Sequence, residues 1–320
     1  MTVDPLDFDN KYELIASTKT FSPTKIDPRV CRFCNRGQNA TTFDNDAHAF
    51  SEFLGANDLI SWEECDSCNK EFCKFESHLS KFFQPFVTWN GIIGKNGVPS
   101  FQSRSINRDP LSHTMFSFNE PHKYSFIIGT PEDYTIDKMN KTFSIKFRIP
   151  THRPILVYKS LVKIALSLLP PGKVLRYSSI FDWLMDRCIN PNIFASAVIT
   201  TLKGKRFDGS YADLYEARPK DTSEDIVPEL TMVLRFGNII TQIFLPMTDE
   251  YLSKQQSGKN LGINLSPAHL FDNDLVKVAE TGKIDYKFYM FDLSRTDPST
   301  HDLTMDFTYR ELKEGDQIVE

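Results

Sequence analysis

The chain has 320 residues, 40% of them hydrophobic, with 26 phenylalanines, enough apolar material for two modest domains with cores of their own. A formal net charge of −5 excludes a protein that binds nucleic acid over its whole surface, while a local basic groove stays compatible with it. No apolar run reaches the roughly eighteen residues of a membrane-spanning helix, and the acidic start Met1-Thr-Val-Asp-Pro-Leu-Asp lacks a secretory signal's apolar segment, so a reducing cytoplasm is the expected setting.

Residues 1–27 read as an acidic lead, closed by Pro23 or Pro28. Residues 28–85 carry two Cys-x-x-Cys pairs, Cys31-Arg-Phe-Cys34 and Cys65-Asp-Ser-Cys68. Two intervening residues let both sulfurs of a knuckle face one ion. Cys31, Cys34, Cys65 and Cys68 are therefore read as the ligands of one tetrahedral structural zinc (Zn2+). His48 lies between the pairs, and Asn69 follows the last cysteine.

A helix is expected beyond Cys68. At helical spacing Phe72, Phe75, Leu79 and Phe82 form one stripe to be buried, with Asn69, Cys73 and Glu76 beside it and His78 roughly opposite Asn69. Cys73 is read as a small buried residue. Residues 86–115, with Gly91, Gly94, Gly97, Pro99 and Pro110, read as a connector or extended arm.

Residues 116–320 read as a larger α+β domain with an antiparallel sheet. Phe143, Ile145, Phe147 and Ile149 alternate with polar residues, as do Leu303, Met305, Phe307 and Tyr309, and Ile284, Tyr286 and Phe288. Leu230 to Phe236 and Ile239 to Leu245 flank Gly237-Asn238, the signature of a hairpin. Residues 154–169 predict a helix with Lys159, Lys163 and Ser167 on its polar side, stopped by Pro170-Pro171. Ser179-x-x-Asp182 predicts the cap of a second helix, and 218–229 an exposed loop. His113, His122, His152, His269 and His301 are scattered without metal-ligand spacing, so this half is expected to hold no catalytic centre.

The text Ala47-His48-Ala49-Phe50-Ser51-Glu52-Phe53-Leu54-Gly55, followed by Glu64-Cys65-Asp66-Ser67-Cys68-Asn69-Lys70-Glu71-Phe72, resembles the zinc-bearing branch of the HNH endonucleases, the ββα-metal fold. Its pattern reads roughly A-H-x-x-P-E-x-L-G-N … E-C-D-x-C-N-x-x-F. The likeness covers residues 28–85 and is weaker at Gly94 to Pro99 and Tyr158 to Leu168. It implies an N-terminal zinc-stabilised ββα-metal module followed by the α+β domain, and a metal-dependent endonuclease that hydrolyses DNA phosphodiester bonds.

In that reading His48 is the general base that activates water, a role histidine suits because it ordinarily titrates near neutrality. Asn69 holds a catalytic divalent ion, Mg2+ or Mn2+, through its amide oxygen. Many relatives carry Asp or Glu directly before the histidine; here that residue is Ala47, which cannot bind a metal. Residues two apart on a strand share a face, so Asp46 is taken as the substitute ligand. Glu76, about 10 Å along the helix from Asn69, is set aside as too distant, and the thiol of Cys73 as too soft for Mg2+.

Lys70, Lys95, Arg104 and Arg108 are the candidate DNA-phosphate contacts; Lys203-Gly-Lys205-Arg206 is another basic spot. By family analogy the C-terminal domain supplies substrate choice, control or a homodimer contact, and a role in phage defence follows from the same analogy. The competing reading is a catalytically decayed, zinc-stabilised module that binds nucleic acid or protein.

Overall fold

The structure, a computed structural model, describes residues 5–104, 113–120, 123–188, 193–203, 207–218, 227–255, 268, 286–314 and 317–319. Arg108, Lys205, Arg206, Ile284 and most of the loop expected at 218–229 lie outside them.

The acidic lead is more ordered than its composition predicts. It contains α1 (Pro5–Lys11) and β1 (Tyr12–Ser17), and β1 pairs antiparallel with a strand at Tyr211–Ala217 in the far half of the chain. Residues 18–65 follow a largely irregular path, with one 3-10 turn at Glu52–Leu54. α2 then runs from Asp66 to Trp89. Its Phe72, Phe75, Leu79 and Phe82 are all buried, as the stripe predicts, whereas Cys73 is exposed, contrary to the expectation. Cys73 sits one turn beyond Asn69, on the side of the helix away from the core.

The expected connector is partly regular too. It holds the last turn of α2 and then β2 (Phe101–Arg104), which pairs with β3 (His113–Glu120) and, through it, β4 (Lys123–Ile128). A second three-stranded sheet has the order β12-β6-β5, from β5 (Tyr134–Asp137), β6 (Thr142–His152) and β12 (Ser299–Thr308). The buried residues of β6 are the alternating ones, Phe143, Ile145, Phe147 and Ile149.

α3 (Pro154–Leu168) starts with proline in its first turn and ends where Pro170-Pro171 cannot continue it. Its Lys159, Lys163 and Ser167 were expected to form a polar side, yet their exposures are 4%, 3% and 2%. α3 lies inside the molecule against α2, and each ammonium has a partner there. Lys159 bonds Asp186 at 2.5 Å and the Leu184 carbonyl at 3.2 Å. The next helix, α4 (Ser178–Leu184), begins after Tyr177 rather than at a Ser179 cap.

The main sheet has the order β1-β8-β9-β10-β7-β11. Its other strands are β7 (Ser196–Leu202), β8 (Tyr211–Ala217), β9 (Leu230–Phe236), β10 (Ile239–Phe244) and β11 (Tyr286–Asp292), all paired antiparallel. β9 and β10 are buried on both faces. Met232, Leu234 and Phe236 join the core with α2 and α3, while Val233 and Ile240 face a second cluster with Phe8 and Tyr12.

The β9–β10 turn uses Gly237 in the left-handed region, at φ 52°; a Cβ there would meet the side chain of Asn90 at 2.1 Å. Asn90, the residue ending α2, accepts a 2.8 Å bond from the Asn238 amide, so helix and hairpin fix each other. A short helix α5 (Asp249–Gln255) and a hairpin of β13 (Leu312–Glu314) and β14 (Gln317–Val319) complete the described elements. The class is α+β with antiparallel sheets. One buried apolar cluster runs from Phe33 through α2 and α3 to Leu293. Among the described residues no helix is long and apolar enough to cross a membrane.

Candidate metal centre and hydrolytic site

The first cysteine knuckle is built by backbone hydrogen bonds. The Cys31 amide bonds the Arg36 carbonyl at 2.9 Å, and the Asn35 amide bonds the Cys31 carbonyl at 2.8 Å. Asn35 takes the left-handed conformation, φ 57°, that turns the chain just after Cys34. The second pair opens α2, with Cys65 as the residue before its first turn and Cys68 within it. The positive end of a helix dipole therefore points at thiolates.

The four ligand sulfurs lie within 4.8 Å of one another. Cys31 and Cys68 are 3.7 Å apart at Sγ, as are Cys34 and Cys65. Zinc–sulfur bonds of about 2.3 Å at tetrahedral angles require ligand sulfurs about 3.8 Å apart. Four thiols at that separation, three of them fully buried, fit a structural metal such as zinc.

Side chains between the ligands lock this centre to the rest of the molecule. Phe33 meets Phe72 of α2 at 4.7 Å and Phe181 of α4 at 5.6 Å between ring centroids. Arg32 pairs with Glu63 and donates to the carbonyls of Leu166, Ser167 and Leu169 at the end of α3, where a cation complements the helix dipole. Asp66, first residue of α2, takes bonds from the Thr42 hydroxyl, the amides of Asp44 and Asn45 and the Asn45 side chain. Those bonds outweigh partial desolvation and hold its carboxyl well below the usual range.

His48 sits on a short antiparallel pairing opposite Ile60. The Ala49 amide bonds the Leu59 carbonyl at 2.7 Å, and the Ser61 amide bonds the Ala47 carbonyl at 2.6 Å. Ala47 and Ala49 are buried, so strand alternation turns His48 to the other side. Its Nε2 lies 3.4 Å from Glu52 Oε2, and that oxygen is 3.5 Å from Lys95 Nζ. Its Nδ1 is buried without a hydrogen-bond partner among the described residues.

Behind the histidine is a buried ion pair. Lys163 of α3 is 3.1 Å from Glu64, with side-chain exposures of 3% and 0%, and it donates to the His48 backbone carbonyl. Burial pushes the Glu64 carboxyl up, opposed by Lys163. Burial also raises Glu76, which feels Lys163 and His48 as attracting charges and Glu52 as a repelling one. Glu76 of α2 thus belongs to the electrostatic surroundings of His48.

The structure brings together the four cysteines, and separately His48 with Glu52 and Lys95. Asn69, half-buried in the first turn of α2, and Asp46, exposed, have no described hydrogen bond or ion pair to His48. Lys70 and Arg104 are exposed. Sequence reasoning did not connect Glu52, Glu64 or Lys163 with His48. The available signal was a lysine inside the most apolar helix, since buried lysines are rare without a partner. No family model, no curated protein and no solved structure matches the chain.

Proposed function

We propose that this protein is a zinc-stabilised, metal-dependent DNA endonuclease of HNH type, with His48 as the general base. The observation that carries this reading is the placement of His48. It stands on a hairpin-like pairing packed beside a four-cysteine centre and the helix that centre opens, with Nε2 facing outward against Glu52. This placement supports the reading drawn from the sequence likeness. His48 takes the proton of the attacking water. Glu52, 3.4 Å from Nε2, holds the ring in place.

A catalytic Mg2+ or Mn2+, when bound, screens the scissile phosphate and stabilises the leaving oxygen. Asn69 and Asp46 are its ligands in the sequence reading. Glu52 and Glu76 are the carboxylates whose charges reach His48 here. Lys70, Lys95, Arg104 and Arg108 are assigned to the DNA backbone, with the C-terminal half as the platform for control or self-association in a cytoplasmic protein.

One observation favours the second reading, a decayed binding module: Ala47 is buried and offers no ligand. Nicking of supercoiled plasmid with Mg2+ or Mn2+ separates the two. His48→Ala is expected to lower the rate about 10²–10⁴-fold with zinc content and DNA binding unchanged. Equal rates for wild type and His48→Ala, or no cleavage by either, reject the nuclease reading.

A further inference from the structure

We infer that Lys163 of α3 is a positioning residue for His48, holding the backbone that carries the histidine through its bond to the His48 carbonyl, with the buried Glu64 as its anchor. This rests on the reading of His48 as the base. The pairing of His48 with Ile60 leaves the His48 carbonyl unused, because the Leu59 and Ser61 backbone groups bond Ala49 and Ala47 instead. Lys163 reaches that carbonyl from the opposite side.

An ammonium has three donors and no acceptor. One serves the His48 carbonyl and one faces Glu64 at 3.1 Å, while Phe72 presents its ring 5.7 Å away. Glu64 precedes the ligand Cys65, so Lys163 ties the histidine to the metal centre as well as to α3. Replacing both partners of a buried ion pair by well-packed apolar side chains of similar volume is often neutral or stabilising, so packing alone does not require this pair. What it supplies is a fixed direction: a bond from the largely buried α3 to one backbone atom of the proposed base. Lys159, one turn earlier, makes the contrast. It is equally buried, but it bonds Asp186 and the Leu184 carbonyl, with no bond to the histidine segment.

The test compares Lys163→Met/Glu64→Gln, which removes both charges together, with Lys163→Arg and with Lys159→Met in the full chain. Two readouts are taken: plasmid-nicking kcat and KM, and the His48 ring cross-peak in a 1H–13C NMR spectrum, assigned by its loss in His48→Gln. Expected is a double variant that keeps one zinc and its KM, loses about 10- to 100-fold in kcat, and shifts the His48 cross-peak. Lys163→Arg restores most of the rate, and Lys159→Met leaves kcat and cross-peak as in wild type. A folded double variant with wild-type kcat and an unmoved cross-peak overturns the inference, as does the same loss in Lys159→Met. If the double variant does not fold, Glu64→Gln alone removes the anchor, and an unmoved cross-peak there overturns it equally. If wild type cleaves nothing, the nuclease reading fails, while the cross-peak still decides whether Lys163 positions His48.

Discussion

Loss of the metal should unfold one segment and leave the rest standing. Between Cys31 and Cys65 the chain has one 3-10 turn and isolated bridges as its regular structure. Its large buried apolar side chains are Phe33, Phe43, Phe50 and Leu54, together worth about 6–12 kcal/mol at about 1.5–3 kcal/mol each. A structural zinc on four cysteines contributes about 10–16 kcal/mol, so removing it takes away about half of what holds the segment. α2 differs, because Phe75, Leu79, Phe82, Phe83 and Phe86 pack into the core shared with α3 and the sheets. Cys65→Ser is therefore expected to lose the metal and to lose amide protection across residues 31–64, while peptides from α2 and α3 keep theirs. Zinc is measured by elemental analysis and protection by hydrogen exchange with mass spectrometry. Reduced, chelator-free wild type without about one zinc per chain would refute the assignment. Equal loss of protection in α2 and α3 would refute the claim that the helix is held by the core.

The shared core sets the remaining expectations. Leu79, fully buried between α2 and its neighbours, should cost about 2–5 kcal/mol on replacement by alanine, read from the urea midpoint; a shift equivalent to under about 1 kcal/mol would mean the α2 stripe is not core. Residues 112–320 expressed alone should be insoluble or melt without cooperativity, because α3 would lose the α2 side of its packing, and a soluble, cooperatively melting product would show two independent domains. His152 is 1% exposed, packed on Phe82 and His301, and burial holds its pKa down at about 4 against an ordinary 6.5. The unfolded chain then binds more protons than the folded one, so stability should rise with pH from about 4 to 6.5, by up to about 3 kcal/mol. Urea midpoints at several pH values check this, and a slope in that window undiminished by His152→Leu would refute it.

What was legible in the sequence is what short-range geometry encodes. Cys-x-x-Cys spacing specifies a knuckle whatever surrounds it, and the sulfurs converge as the spacing requires. Alternation in β6, β9, β10 and β12 and the glycine turn at Gly237 are equally local. β1 escaped notice because it is an edge strand with Leu14 half-exposed and no clean alternation. Its partner β8 lies about two hundred residues away, a pairing that composition does not reveal. The site divides along the same line. His48 and the cysteines could be named from local text. Glu52 stands inside the same text, four residues from His48.

Lys163 and Glu64 mark where a local reading fails for a physical reason. A helical pattern with a lysine every fourth residue is ordinarily a solvated face, and a lysine on such a face has water as its partner. Here the face is covered by the cysteine segment and by α2, so each ammonium had to find a protein acceptor or stay unburied. Lys159 found one in the turn after α4, and Lys163 found Glu64 and the His48 carbonyl. The cost of burying Lys163 thus falls on the contact between the histidine segment and α3. If that contact opened, Lys163 and Glu64 would each face a partly wet, partly apolar surface without the other. Deleting one partner leaves the other buried and uncompensated, at a cost of about 3–5 kcal/mol, so neither Lys163 nor Glu64 can be replaced alone by a neutral residue without loosening this contact. The metal and the ion pair consequently act on different parts of one stretch of chain. The metal fixes Cys31 and Cys65 at its limits, and Lys163 fixes its middle, at His48.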